Sequence, residues 1–173
     1  MWRKRTVQQM VKVYRGHNPQ IRPSTGVPLL LVTLGRQYRL GLVSDGPPQT
    51  QQRKLAALGL ADRFHAIVWS DELGLKARKP SPRPFRQVLG DLAVSADEAV
   101  YVGDNPDKDF LGARRIGMAT VRIRHPEGLY SSREPATPDH ASHVEITSVS
   151  ALSDLLPRIR RTRPAGKGHK SGR

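Results

Sequence analysis

Two carboxylates, Asp104 and Asp109, stand five positions apart behind the apolar run Ala99-Val100-Tyr101-Val102. The run is short and β-branched, as suits a buried parallel strand, and Gly103 ends it. Asp104 then falls at the carboxyl tip of the strand, and Asp109 in the first turn of the following helix. Open α/β sheets bind ligands at that edge. Hard oxygen ligands there suit Mg²⁺, which takes one or two carboxylates together with waters and substrate phosphate. The same spacing also fits a capped turn, because Asp is common after strands and at helix starts.

Two other spots complete a possible site. Ser44 closes the strand Leu40-Gly41-Leu42-Val43 and offers a hydroxyl. The amides of Asp45 and Gly46 begin a turn there, and Gly46 lets the backbone come close to an anion. Lys79 precedes Pro80 and a helix opening at Ser81-Pro82, a fixed cation able to neutralise a phosphate. Hydroxyl, lysine and metal carboxylates in this order, each at a strand end or its loop, compose a phosphoryl-transfer site, where positioning and charge neutralisation dominate. Singly, Ser44 is as well explained as a cap, and Lys79 as a solvated side chain.

These residues need a scaffold, and the hydropathy pattern supplies one. Strands are expected at 40–43, 66–69, 99–102 and 118–123, with a short edge strand at Val144 and Ile146. Between them run helices with apolar stripes: Leu55, Leu58 and Leu60 after a start at Thr50 or Gln51; Phe85, Val88, Leu89 and Leu92; Phe110, Leu111, Ala113 and Ile116. A helix capped by Thr6 carries Val7, Met10, Val11 and Tyr14 on one face. Another opens at Ser24-Thr25 with Val27, Leu30, Leu31 and Leu34. A last one, capped by Ser148, carries Leu152, Leu155 and Leu156 and is expected to end at Pro157. Residues 125–141, rich in Pro, Ser, Glu and His, are expected as loop. Strand and helix alternate, which implies a parallel sheet with right-handed crossovers and helices on both faces, a Rossmann-like three-layer α/β/α fold.

Charge is distributed unevenly. The formal net charge is +14, yet residues 1–44 hold eight Lys or Arg with no acid, residues 158–173 hold seven with no acid, and the span between is net −1. A nearly neutral body with basic ends admits nucleic acid, an acidic membrane or a phosphorylated partner, or simply solvated charge and an unstructured tail. Aromatics make up 5% of the chain and no nucleic-acid-binding fold is recognisable, so a nucleic-acid binder ranks last. There are no cysteines, which excludes disulfides, thiolate metal sites and a cysteine nucleophile and favours a reducing, cytoplasmic setting. No apolar run approaches the length of a membrane span.

On its motifs the chain resembles the haloacid dehalogenase (HAD) superfamily of phosphohydrolases, in the subgroup with a helical cap. Leu42-Val43-Ser44-Asp45-Gly46 is similar to the second family motif, Lys79-Pro80 to the third, and Val102-Gly103-Asp104-Asn105-Pro106-Asp107-Lys108-Asp109 to the fourth. Tyr14-Arg15-Gly16-His17-Asn18-Pro19 looks like the return from the cap to the core. The resemblance covers roughly residues 10–156 and implies Mg²⁺-dependent hydrolysis of a small phosphorylated metabolite. It implies that Ser44, Asp45, Gly46 and Lys79 bind the phosphate, that Lys79 stabilises phosphoryl group and nucleophile, and that Asp104 and Asp109 hold the metal.

The first family motif, an Asp-x-Asp on the first strand, is not matched. There the first Asp is the nucleophile that forms an aspartyl-phosphate and the second is the acid/base, whereas here no acidic residue precedes Asp45. Asp45 is rejected as that nucleophile, because Pro47 stands where the acid/base should be and Asp45 directly follows Ser44. The resemblance therefore implies a core lacking its first strand and most of the cap. Residues 1–22 are then a cap remnant and linker, 23–157 the core, and 158–173 a disordered basic tail. In the family that strand lies between those of Ser44 and Asp104, so its loss leaves unpaired backbone, a marginal fold, or one completed by a second polypeptide. The isolated chain is expected to be inactive. The alternative is a non-catalytic module that binds phosphate or a partner.

Overall fold

The computed structural model describes residues 4–162. In chain order these form α1 (Lys4–Gly16), α2 (Val27–Gly35), β1 (Gly41–Ser44), α3 (Pro48–Leu58), β2 (Ala66–Trp69), α4 (Arg83–Leu92), β3 (Val100–Gly103), α5 (Phe110–Arg115), β4 (Ala119–Ile123), β5 (Val144–Ile146) and α6 (Leu152–Thr162). Every strand pair is parallel. Side chains alternate across a strand, and this sorts the core. Val43 of β1 and Val68 of β2, neighbours in register, pack with Val88, Leu89 and Leu92 of α4. Leu42 and Ile67, on the opposite face, pack with Leu55 of α3 and Leu31 of α2. The result is the expected α/β/α layering. Gly41 makes it tight: a Cβ there would lie 2.7 Å from Val88 Cγ2, so only a bare backbone lets α4 settle on β1.

The strands fall into two groups, β1-β2 and β3-β4-β5. Among the described residues β1 is laddered only to β2, and β3 on its outer side only to β4, so no ladder joins β1 to β3. The two groups are held together by helices. Phe85 of α4 meets Tyr101 of β3 edge to face, with ring centroids 4.8 Å apart, and Ala113 of α5 belongs to the same cluster as Val43 and Val68. Within the second group β4 is central, and Thr120, Val121 and Arg122 are all buried.

Several boundaries differ from expectation. Helix α1 begins at Lys4, which puts Thr6 inside it, and its face of Val7, Met10 and Val11 is 46%, 58% and 39% exposed; the Tyr14 side chain lies outside the described residues. Helix α2 begins at Val27, later than Ser24-Thr25, after a left-handed Gly26 with φ 84°. Helix α3 begins at Pro48, since a proline in the first turn lacks only a donor that the helix leaves unpaired anyway. Helix α6 is not ended by Pro157 but continues to Thr162, into the segment expected as a disordered tail. An internal proline removes one i→i−4 bond, and the helix is anchored ahead of it by buried Leu152. Residues 163–173 of that tail lie outside the described residues.

Candidate active site

Two short 3-10 turns, Ser70–Leu73 and Leu75–Ala77, carry the chain from the tip of β2 to Lys79. The Lys79 ammonium sits 2.8 Å from Asp109 Oδ1 and 3.0 Å from the Tyr101 hydroxyl. Lysine and carboxylate are both buried, at 9% and 4% side-chain exposure. Burial by itself lowers a lysine pKa, but Tyr101 and Asp109 outweigh it and hold Lys79 above its ordinary value, so the ammonium stays charged. Burial likewise pushes the Tyr101 phenol up, with Lys79 opposing, which keeps the hydroxyl neutral.

The acidic loop folds around Asp109. Its Oδ2 accepts the amides of Asp104 at 3.2 Å and Asn105 at 2.9 Å. Its Oδ1 takes Lys79 and, at 3.3 Å, the Tyr101 hydroxyl. Asn105 braces the turn from within, its Oδ1 accepting the Asp107 amide at 3.0 Å. Gly103 is required by this closure, because a Cβ there would stand 2.7 Å from Asp109 Oδ2. Four donors therefore converge on Asp109, which makes it the counter-ion of Lys79 and the cap of the loop.

At the tip of β1 the expected phosphate cradle is differently occupied. The Ser44 hydroxyl donates to Gln51 Oε1 at 3.2 Å, and the Gly46 amide to Asp71 Oδ1 at 3.3 Å. Asp71 is clamped in turn by Arg78 through two bonds of 2.6 and 2.7 Å. Asp45 Oδ1 accepts the Ser70 hydroxyl at 2.7 Å and the Lys79 amide at 3.2 Å, and Lys108 Nζ lies 3.6 Å from Oδ2. Asp45 thus ties the tips of β1 and β2 to the β3–α5 loop. A carboxylate so engaged braces the strand tips.

Asp104 is the exposed member of the acidic pair. Partial burial, and then the nearby Asp109, push its carboxyl above the usual range. Asp104 offers a hard carboxylate oxygen of the kind Mg²⁺ takes. Among the described residues no group of three or more His, Asp or Glu could hold a metal. The structure thus brings Asp104 and Asp109 together without presenting them as two open ligands. Sequence reasoning missed Tyr101, Ser70 and Asn105. A phenol inside an apolar strand was the available signal for Tyr101, since a buried hydroxyl needs a partner.

Residues 2–123 match the family of haloacid dehalogenase-like hydrolases. The chain is 40% identical over 130 residues to the glyceraldehyde 3-phosphate phosphatase of Methanopyrus kandleri, an alignment covering 75% of this chain and 54% of that protein. The 2-haloacid dehalogenase of Pseudomonas syringae pv. Tomato superposes with a TM-score of 0.69 at 27% identity, over 91% of this chain and 64% of the other. The HAD-hydrolase YfnB of Bacillus subtilis, solved bound to magnesium, gives 0.65 at 26% identity, over 76% and 54%. The chain spans about half the length of the curated relatives it matches. With the match running from the first helix through β4, this chain belongs to the haloacid dehalogenase-like hydrolases.

Proposed function

We propose that this chain carries the phosphate-handling and metal-holding part of a phosphomonoesterase acting on a small phosphorylated metabolite. One observation carries the reading: a buried ammonium, Lys79, is locked by Asp109 and Tyr101 beside the open carboxylate of Asp104. A preorganised cation next to a metal carboxylate is what a phosphoryl group needs as its charge shifts. Mg²⁺ on Asp104 would neutralise phosphoryl oxygens. Lys79 would face a further oxygen, and Ser44 would donate to a third after releasing Gln51. The relative from Methanopyrus, named for a three-carbon phosphate, supports the substrate class. A cytoplasmic setting goes with such substrates.

The nucleophile is a separate matter. Asp45 is held by Ser70, Lys79 and Lys108, and no acid precedes it. The family resemblance puts the nucleophile on a strand between those of Ser44 and Asp104, and no ladder joins β1 to β3 among the described residues. We propose that a further polypeptide segment seats there, bringing its carboxylate to Lys79, and that the 173-residue chain alone binds without turning over. Incubating the pure chain with p-nitrophenyl phosphate and Mg²⁺ should give no metal-dependent hydrolysis, while calorimetry should register Mg²⁺ and phosphate. Turnover that Asp104→Ala abolishes would overturn the inactivity. Absence of any Mg²⁺ or phosphate binding would overturn the site.

A further inference from the structure

The tip of β1 and the first turn of α3 meet through one side chain, Gln51. Helix α3 opens on two prolines, Pro47 as its cap and Pro48 at its first position, whose fixed φ leaves the entry little freedom. The amides of Thr50 and Gln51 donate to the Pro47 carbonyl at 3.0 and 3.2 Å, and Leu55, one turn further on, is buried. Backbone and core together therefore fix where Gln51 stands. Its carboxamide touches both ends of the turn that follows β1. Oε1 accepts the Ser44 hydroxyl at 3.2 Å. Nε2 lies against Gly46, 2.8 Å from where a Cβ would stand. Gly46 has φ 115°, so its backbone and the Gln51 carboxamide both require a glycine there.

A hydroxyl has one proton and gives it to one acceptor at a time. A phosphate dianion is a stronger acceptor than an amide carbonyl, because charge on one partner roughly doubles a hydrogen bond. With phosphate at the tip of β1 the Ser44 proton goes to it, and Gln51 Oε1 is left facing the lone pairs of Ser44 Oγ. Turning the carboxamide over about its Cγ–Cδ bond relieves this, since its oxygen and NH₂ group are so alike in shape that either fits the same space. Nε2 then donates to Ser44 Oγ while Ser44 donates to phosphate, and each bond polarises the other. We infer that Gln51 is a positioning residue of the phosphate site, whose carboxamide turns over to switch the Ser44 hydroxyl from a protein acceptor to the phosphate. The inference rests on the reading that Ser44 binds the phosphoryl group.

Calorimetry of the full chain with Mg²⁺ and inorganic phosphate tests it. Gln51→Met keeps the length of the side chain without its donor, and should weaken phosphate about fivefold, the worth of one intramolecular hydrogen bond. Gln51→Glu keeps the acceptor for the free Ser44 hydroxyl but has nothing to donate, and should weaken phosphate by about tenfold or more. Ser44→Ala should weaken it about tenfold, with Lys79 and the metal still holding the anion. The decisive comparison is made in that background, because a side chain that acts through Ser44 has nothing to act on without it. There Gln51→Met should change the affinity by less than about twofold. A merely structural role would instead lower the Tm and carry the same penalty into both backgrounds. Parental affinity in Gln51→Met or in Ser44→Ala, or an equal Gln51→Met penalty with and without Ser44, would overturn the switch and leave the metal and Lys79 site standing. If circular dichroism shows that the methionine variant does not fold, Gln51→Glu decides alone, and parental affinity in it overturns the switch. Failure of the parent to bind phosphate would overturn the phosphate site, and the switch with it.

Discussion

Asp104 and Asp109 share a motif but not a role, and substitution separates them. Asp109→Asn leaves the Lys79 ammonium buried without its counter-ion. Breaking a buried pair from one side costs about 3–5 kcal/mol. Urea unfolding of this variant should therefore show a large fall in stability, enough to unfold a marginal domain. Asp104→Asn removes an exposed carboxylate, and its stability at neutral pH should stay within about 0.5 kcal/mol of the parent. Thermal unfolding with and without Mg²⁺ should show that it has lost the metal-induced rise in Tm. The pH dependence has a definite sign. Asp104 has a raised folded pKa, so its ionisation opposes folding. That penalty is absent at pH below the unfolded value of about 3.9 and complete above the folded one. Asp104→Asn should therefore gain on the parent as pH rises through the folded value, and match it in acid. A constant difference across the range would contradict the assignment.

At the scale of elements, the site depends on how α5 approaches the Lys79 segment. Gly112, inside α5, lies where a Cβ would come 2.3 Å from the Pro80 carbonyl oxygen and 2.9 Å from the Phe85 ring. The first contact is with backbone and cannot be relieved by a rotamer change. Gly112→Ala should cost about 1–3 kcal/mol as overpacking, seen as a lowered Tm. It should also weaken Mg²⁺ and phosphate binding, because the displaced backbone carries Lys79. A variant as stable as the parent would show that α5 can move away freely. The same dependence explains Asp45, whose contacts knit three strand tips together and whose loss would loosen them jointly.

Taken together, the described residues form a layered sandwich with one discontinuity between β1 and β3. β4 has partners on both sides, while β1 and β3 each have one. Amide exchange should follow this order, slowest in β4, with the outward amides of β1 and β3 exchanging orders of magnitude faster. Uniform protection across all three strands would mean that the two edges are already covered in solution. No helix among the described residues is long and apolar enough to cross a membrane. The basic N-terminal span instead carries α1, whose apolar face stands open to solvent.

Local pattern made much of this legible. Alternation and helical periodicity fall within a few residues, so β1 to β4, the stripes of α3 to α5 and the layering followed from the chain alone. The order Ser44, Lys79, Asp104, Asp109 marked one sheet edge, because each stands at a strand tip or in the loop beyond it. Pro157 misled, since a proline costs one hydrogen bond while α6 retains buried Leu152 as its anchor. What tertiary structure alone decided are contacts between residues far apart in the chain. Lys79 meets Tyr101 across 22 positions, and Asp45 meets the Lys79 amide across 34. Which carboxylate stays open and which becomes a counter-ion depends on how many donors reach it. Those donors come from β2's exit, β3 and the acidic loop together, an arrangement that exists only once the layers have packed.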